Sequence, residues 1–169
     1  MTWLAQVAPG GSDLERTFGL QRDAFNAVAS VLDQLWELVD PVVLELARLR
    51  MATLHGNAFD LALRYEQARD AGLIEEKIGA LSRFLVDESF SPKERACISY
   101  AEEFTIDSSS IAESVIADVL VHLDHAQLFA LSQALSMFDA VQRACLTLDV
   151  RPASEQPSMI RTLRIPEPA

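Results

Sequence analysis

Helix-capping motifs are the feature of this sequence that most restricts its fold. Asp40 precedes Pro41, which places a good N-cap residue before a proline at the first helical position. The segments 91–94 (Ser-Pro-Lys-Glu) and 124–127 (Asp-His-Ala-Gln) have the spacing of capping boxes, in which two side chains bond each other's backbone amides. No alternating strand pattern of useful length separates these motifs, so the sequence predicts an all-α fold.

Apolar residues recur every three or four positions in the segments around these caps, as expected for amphipathic helices. We predict helices at about 22–38, 41–54, 58–71, from Ser91 to about Thr105, 110–120, and from Asp124 to about Leu148. The last of these has one apolar face over about six turns, so it is either a central core helix or a contact between subunits. Together they predict a helical bundle of six to seven helices.

The two ends of the chain differ from its middle in composition. We predict an extended N-terminal arm at 1–20, a single helical domain at 21–150, and a proline-rich C-terminal arm at 151–169. A segment with four prolines cannot easily pack on itself, so we expect the C-terminal arm to cross to a neighbouring subunit.

Length and charge limit the classes of partner. The chain has 169 residues and 50% hydrophobic residues, which suits one well-buried domain. Its net charge of -11 repels phosphate backbones and anionic membrane surfaces, so neither nucleic acid nor a membrane is expected as a partner. The sequence has neither a signal-peptide pattern nor an apolar run long enough to span a bilayer. We therefore expect a cytoplasmic protein.

The two cysteines and the histidine pair give weak signals. Cys97 and Cys145 each lie in an apolar helical stripe, which favours buried free thiols over a disulfide framework or a metal knuckle. His122 and His125 flank Asp124, but that aspartate is needed as a helix cap and no third ligand has a defined spacing. We expect no metal and no other cofactor.

Three stretches between residues 38 and 152 carry a family resemblance. They read "LELARLRMATLHGNAFDLALRYEQARDAGLIEEKIGAL", "FSPKERACISYAEEFT" and "MFDAVQRACLTLDV". In order and spacing they resemble the carboxymuconolactone decarboxylase superfamily, and within it the alkylhydroperoxidase-D-like (AhpD-like) branch. The resemblance implies an all-α fold that assembles as a homo-oligomer, a dimer, trimer or hexamer, in which a helical hairpin helps to build the site.

The resemblance also places four residues at the family site. Redox members of the branch carry Cys-x-x-Cys, a histidine four residues later and a glutamate twelve residues earlier. In this sequence Glu45 stands at the glutamate position, Asn57 and Asp60 at the cysteine positions, and Arg64 at the histidine position. Neither Asn57 nor Asp60 can supply the attacking thiolate that peroxidase chemistry needs. A peroxidase or disulfide reductase is therefore disfavoured.

The residues at the two cysteine positions, Asn57 and Asp60, have two interpretations. Asn57 is a preferred N-cap residue, and Asp60 at N3 can reach back to the backbone to complete a capping pair. Asp60 and Arg64 are also four residues apart on the predicted helix, with Glu45 facing them from the preceding one. We expect a Glu45–Asp60–Arg64 cluster, either closed as a structural ion network or open to a ligand.

Two functions remain open. The first is a cofactor-independent lyase or isomerase acting on a small carboxylate or lactone. In it Glu45 is the general acid or base, Arg64 holds a carboxylate, and His55 or Asn57 donates a hydrogen bond to a developing oxyanion. An arginine at the histidine position argues against a decarboxylase proper, because it cannot titrate near neutral pH. The alternative is a catalytically inactive oligomer with a binding or structural role.

Overall fold

The computed structural model describes residues 4, 6–154 and 156–167, and the predicted arms extend outside that part at residues 1–3, 5, 155, 168 and 169. The described chain is mostly helical, which confirms the all-α prediction. Its helices are α1 Asp13–Phe18, α2 Arg22–Leu38, α3 Pro41–His55, α4 Ala58–Leu61, α5 Glu66–Asp70, α6 Glu75–Gly79, α7 Pro92–Asp107, α8 Glu113–His122 and α9 His125–Thr147. Two short strands, β1 Leu63–Tyr65 and β2 Ser158–Ile160, pair in parallel.

Helix α3 lies at the centre of the molecule, packed against α7, α9 and α2. Its buried side chains are not confined to one face, and they include Leu44, Leu46, Leu49 and Met51. A helix that is apolar all round has to be surrounded by other elements. Every residue from 43 to 49 of α3 is buried, so a polar residue in this part of the helix is forced into the core, whereas Thr53 near its end is exposed.

Most of the predicted caps are present. The carboxylate of Asp40 accepts from the backbone amide of Val42 at 3.0 Å, and the boxes at 91–94 and 124–127 are complete. Helix α8 begins later than predicted, with Ala112 as its N-cap. The hydroxyl of Ser110, the predicted start of this helix, donates instead to the carboxylate of Asp107, the last residue of α7.

The single helix predicted at 58–71 is wrong, because the chain there forms α4, β1 and α5 in succession. The backbone carbonyls that a continuous helix would use internally have other donors. Arg48 donates to the carbonyls of Asp60 at 2.8 Å and Leu63 at 3.0 Å, and an amide of β2 donates to the carbonyl of Ala62 at 2.8 Å. These long-range bonds end the helix after one turn.

The predicted N-terminal arm is not extended throughout, since it contains α1. Ser12 and Glu15 form a capping box at the start of this helix, with hydrogen bonds of 3.0 and 3.2 Å. The sequence S-x-x-E carries this signal in plain form.

The C-terminal segment packs on its own domain, which differs from the expectation that it crosses to a neighbour. Strand β2 pairs with β1, and Leu163 and Ile165 are both buried. The side chain of Asn26 on α2 exchanges two hydrogen bonds with the backbone of Ile165, at 2.8 and 2.9 Å. The free edge of β1 and the surface of α2 supply the partners that the arm lacks within itself.

Helices α8 and α9 are both rich in apolar residues. No single helix in the described residues is both long and apolar enough to cross a membrane. Helices α8 and α9 reach that length and apolarity only when taken together, and they bend by 118° at their junction. Each leaves a large apolar side chain in solvent, with Val121 75% exposed and Phe129 64% exposed.

Candidate functional site

Two oppositely charged residues lie one turn apart on the central helix α3. Arg48 donates from Nε to Oε2 of Glu45 and from Nη2 to Oε1, both at 2.8 Å. Neither residue is more than 1% exposed, because α3 is covered on all sides. The pair is therefore a buried, two-bonded ion pair at spacing i, i+3.

Asp60 completes what we call the ion cluster, defined as Glu45, Arg48 and Asp60. Its Oδ2 lies 2.9 Å from Nη1 of Arg48, which also donates to the carbonyl of Asp60. A further Arg48 hydrogen bond goes to the carbonyl of Leu63. The guanidinium is fully buried and engaged on every nitrogen, so it has no donor that faces solvent.

The surroundings of Arg48 fix its charge. Burial alone would lower the pKa of Arg48, but the nearby Asp60 and Glu45 outweigh burial and raise that pKa. Its guanidinium lies 5.2 Å from the centre of the Tyr65 ring, which stacks on Trp36 at 4.5 Å. Burial raises the pKa of Tyr65 well above its ordinary value, so the phenol stays neutral.

Asn57 caps α4, as the sequence predicts. Its side-chain oxygen accepts from the backbone amide of Asp60 at 3.0 Å, and its nitrogen donates to the carbonyl of Gln142 at 2.9 Å. Asp60 does not complete the predicted capping pair. Its carboxylate faces Arg48 and accepts from Nε2 of Gln142 at 2.5 Å. Asn57 is thus a helix cap, and Asp60 is a buried ion.

Gln142 on α9 is a member of the site that the sequence reasoning missed. Its Nε2 donates to Asp60 and to the carbonyl of Arg48 at 3.2 Å, and its Oε1 lies 2.8 Å from Nδ1 of His55. Because the amide nitrogen faces acceptors, its oxygen faces His55, which makes Nδ1 the donor in that contact. The available signal was an amide within the apolar stripe of α9, next to Val141.

His55 lies at the end of α3 and joins the site through Gln142. Its side chain is 10% exposed, and its Nε2 lies 3.2 Å from Oδ1 of Asp139 without the alignment of a hydrogen bond. Asp139 is itself held by Arg143 through two hydrogen bonds of 2.8 and 2.9 Å. His55 is therefore tied to α9.

The predicted Glu45–Asp60–Arg64 cluster is wrong, because Arg48 takes the place assigned to Arg64. Residues on a strand alternate between faces, and in β1 Leu63 and Tyr65 are buried while Arg64 points the other way. The missed signal was Glu45-x-x-Arg48, an acid and a base one turn apart among the apolar residues that fill the first two thirds of α3.

Arg64 instead lies beside a pocket. Its Nε and Nη2 donate to the carboxylate of Glu75 at 2.8 and 3.2 Å, and its Nη1 donates to the carbonyls of Leu61 and Leu63, both at 2.8 Å. The Arg64 pocket has a volume of about 620 Å³ and is lined by Glu45, Arg64, Tyr65, Ala68, Arg69, Gly72, Leu73, Ile74, Glu75, Glu76, Ile78 and Met159. The ion cluster therefore borders this pocket through Glu45.

Neither cysteine is placed for redox chemistry. Cys97 on α7 and Cys145 on α9 are buried free thiols, as predicted. Burial raises the pKa of Cys97 to about 12, and burial together with the charge of Asp60 raises the pKa of Cys145 further above its ordinary value. Thiolate is the reactive form, so both sulfurs are inert at neutral pH. Within the described residues, no three histidine, cysteine or acidic side chains are grouped to hold a metal ion.

Comparisons with known proteins give a family match for part of the chain, a sequence relative and a structural neighbour with a similar fold. Residues 22–103, which include the whole ion cluster, match the Carboxymuconolactone decarboxylase family. The uncharacterized protein YdfG of Bacillus subtilis is 26% identical over 112 residues, which are 66% of this chain and 76% of YdfG. A crystal structure of a protein of unknown function from Agrobacterium tumefaciens, proposed to be the antioxidant defence protein AhpD, superposes with a TM-score of 0.71. That match has 17% identity and covers 82% of this chain and 96% of the other.

Proposed function

Because the chain belongs to the carboxymuconolactone decarboxylase superfamily and has its AhpD-like fold, we propose that it is a non-redox member that binds a small carboxylate on Arg64. The ion cluster at the family site position supports the pocket and takes no part in chemistry. Ligand binding, rather than peroxide reduction, is then the function of the molecule.

The observation that carries this proposal is the way Arg64 is held. Two backbone carbonyls, of Leu61 and Leu63, fix one end of its guanidinium, and this leaves the Nε–Nη2 edge to pair with a carboxylate. That edge has the planar, two-donor geometry that recognises carboxylates. It sits on a pocket of about 620 Å³, within the usual size range of small-molecule sites.

A structural role for the ion cluster follows from its saturation. Both carboxylate oxygens of Glu45 accept hydrogen bonds from Arg48, and Oε1 also accepts from the backbone amide of Tyr65 at 3.2 Å. A buried ion pair whose partners are all satisfied holds its elements in one arrangement. Here it ties α3 to α4 and β1, the strand that presents Arg64.

The two cysteines support the non-redox part of the proposal. Peroxide reduction by this fold's redox members needs two nearby thiols, and the residues at those positions are Asn57 and Asp60. Cys97 and Cys145 lie on different helices with raised pKa values. Neither can substitute for the missing pair at neutral pH.

One observation favours a second candidate, a cofactor-independent lyase or isomerase. Glu45 borders the same pocket as Arg64, which is the arrangement a general base and a carboxylate anchor require. Against it, Glu45 is 1% exposed and its two oxygens are paired with Arg48, which stabilises the charged carboxylate and opposes its taking up a substrate proton. Binding without turnover is therefore the better supported function.

Calorimetric titration tests the proposal, with hexanoate as the carboxylate probe and δ-valerolactone as the lactone probe. We expect hexanoate to bind, and Arg64→Gln to weaken binding about tenfold or more, as loss of a charge-assisted pair predicts. Arg83→Gln is the matched control, since Arg83 is a well-exposed arginine outside the pocket. Equal affinity in wild type and Arg64→Gln contradicts carboxylate binding, and turnover of the lactone that Glu45→Gln abolishes supports the enzyme instead.

We also propose that the protein is a homo-oligomer, as the family resemblance implies. The exposed apolar side chains Val121 and Phe129 on α8 and α9 support a contact between copies there. Light scattering after size exclusion measures the mass directly. Phe129→Glu should reduce an oligomer to a smaller species, and a monomeric wild type contradicts this proposal.

A further inference from the structure

Arg64 already holds a carboxylate that belongs to the protein itself. The Nε and Nη2 atoms of Arg64 donate to Oε1 and Oε2 of Glu75, the two-bonded arrangement in which an arginine binds a free carboxylate. Resting on the proposed function, we propose that Glu75 occupies the ligand's place when the pocket is empty, and that the ligand is an apolar monocarboxylate that displaces it.

Displacement of Glu75 needs only a side-chain movement. The side chain of Glu75 is 63% exposed, while that of Arg64 is 12% exposed, so the glutamate can rotate into water and leave the arginine in place. Helix α6, which begins with Glu75, stays anchored because Lys77 bonds both carboxylate oxygens of Glu94 on α7 at 2.6 and 2.7 Å. Glu75, which competes with the ligand for Arg64, is therefore weakly held, although its helix α6 is fixed in place.

The walls of the pocket select the body of the ligand. Leu73, Ile74, Ile78 and Met159 line it, and these side chains suit an alkyl or aryl group. Their elements are the loop before α6, α6 itself and β2, so the C-terminal segment contributes one wall. A ligand that is polar along its length would leave its own groups unpaired against these walls.

The charges around the pocket limit the ligand to one carboxylate. Glu45, Glu75 and Glu76 border the pocket, against Arg64 and Arg69. Arg48 already neutralises the charge of Glu45. After the ligand displaces Glu75, the negative charge of Glu75 stays near the entrance of the pocket. A second carboxylate on the ligand would face Glu75 and Glu76 with only the exposed side chain of Arg69 to pair with. An exposed ion pair adds little, so dicarboxylates should bind more weakly than monocarboxylates of equal size.

The test compares hexanoate with its neutral analogue hexanamide in wild type, Glu75→Gln and Glu76→Gln. An exposed ion pair is weak, so removal of the internal competitor should tighten hexanoate binding about two- to fivefold. Hexanamide binding should not change. Glu76→Gln removes the same charge from the same helix but does not touch the hydrogen bonds of Arg64, so it should tighten hexanoate binding by a smaller factor.

Three results separate this inference from the proposed function. Hexanoate that binds with the same affinity in wild type and Arg64→Gln overturns both. If hexanoate affinity depends on Arg64 but changes equally in Glu75→Gln and Glu76→Gln, only the inference is overturned. The loss of a negative charge, and not the loss of a competitor, then explains the change in affinity. A parallel change in hexanamide affinity also overturns it, because the substitution has then reshaped the pocket.

Discussion

Arg48 and Arg64 make almost the same bonds and differ in what surrounds them. Each holds a glutamate through Nε and Nη2, and both donate to the carbonyl of Leu63. Glu45, the partner of Arg48, is 1% exposed, whereas the side chain of Glu75, the partner of Arg64, is 63% exposed. We therefore propose that one pairing chemistry gives a structural element where the carboxylate cannot leave, and a ligand site where it can.

The largest expected effect comes from removal of each arginine in turn. Arg48→Met should lower the free energy of unfolding by about 3–5 kcal/mol, because it leaves two buried carboxylates without their cation. Arg64→Met should cost only about 1–2 kcal/mol, since Glu75 is solvated once released. Urea unfolding followed by circular dichroism measures both. Equal losses would remove the distinction between a closed and an open site.

Loss of the amide that links the ion cluster to α9 should have the next largest effect. Gln142→Leu deprives Asp60 and the carbonyl of Arg48 of a donor, and we expect it to cost about 1–3 kcal/mol. Gln133→Leu is the control on the same helix, where the side chain is exposed and the change should stay within about 0.5 kcal/mol. A Gln142 variant as stable as the control would mean that the cluster does not need α9.

The ion pair of Asp40 and Lys93 has a half-exposed carboxylate, between the buried carboxylate of the Arg48 pair and the more exposed one of the Arg64 pair, and it gives a pH-dependent test. Burial would raise the pKa of Asp40, but the hydrogen bond and charge of Lys93, with the amides of Val42 and Val43, outweigh burial and lower it. A folded pKa below the unfolded one contributes stability above the unfolded value, and that contribution is lost as pH falls through the folded value.

Asp40→Ala should therefore cost about 1 kcal/mol near neutral pH, mostly as a lost helix cap because solvent screens the ion pair. The difference from wild type should shrink as pH falls from about 4 towards 2, which paired urea titrations at several pH values can measure. A difference that stays constant over this range would mean that the charge of Asp40 adds nothing beyond its shape.

The smallest expected effect is a change in the chemical reactivity of the two buried cysteines, which reports whether the ion cluster stays closed. Burial, together with the nearby carboxylate of Asp60, raises the pKa of Cys145, and Cys97 on α7 is also buried. Neither should react with iodoacetamide at about pH 8 unless urea is added. Labelling read by mass spectrometry should become faster at Cys145 in Arg48→Met. Rapid labelling of native wild type would show that this region opens.

The helix caps could be predicted from the sequence, but the contacts between residues far apart in the chain could not. The caps at Asp40, Ser91, Asp124 and Asn57 depend on residues within three positions, and the structure has all four. The break in the 58–71 helix depends on β2, about 95 residues further on, and on carbonyls captured by Arg48.

The incorrect prediction that Arg64, and not Arg48, is the arginine of the ion cluster has the same origin. An unbroken helix would bring Arg64 beside Asp60, so the wrong cluster followed from the wrong secondary structure. Once β1 replaces that helix, alternation along the strand turns Arg64 to the pocket, and Arg48 on the apolar α3 is left as the buried cation. Gln142 lies on a distant helix, so only its polarity within an apolar stripe could have drawn notice.

A crystal structure with hexanoate is the most direct test of the central claim that Arg48 is structural and that Arg64, beside the pocket, binds the ligand. The account predicts the hexanoate carboxylate on Nε and Nη2 of Arg64, with Glu75 rotated into solvent and Arg48 still bonded to Glu45 and Asp60. A carboxylate bound to Arg48, or Glu45 freed from Arg48 and turned to the ligand, would contradict it and make the family site position the functional centre.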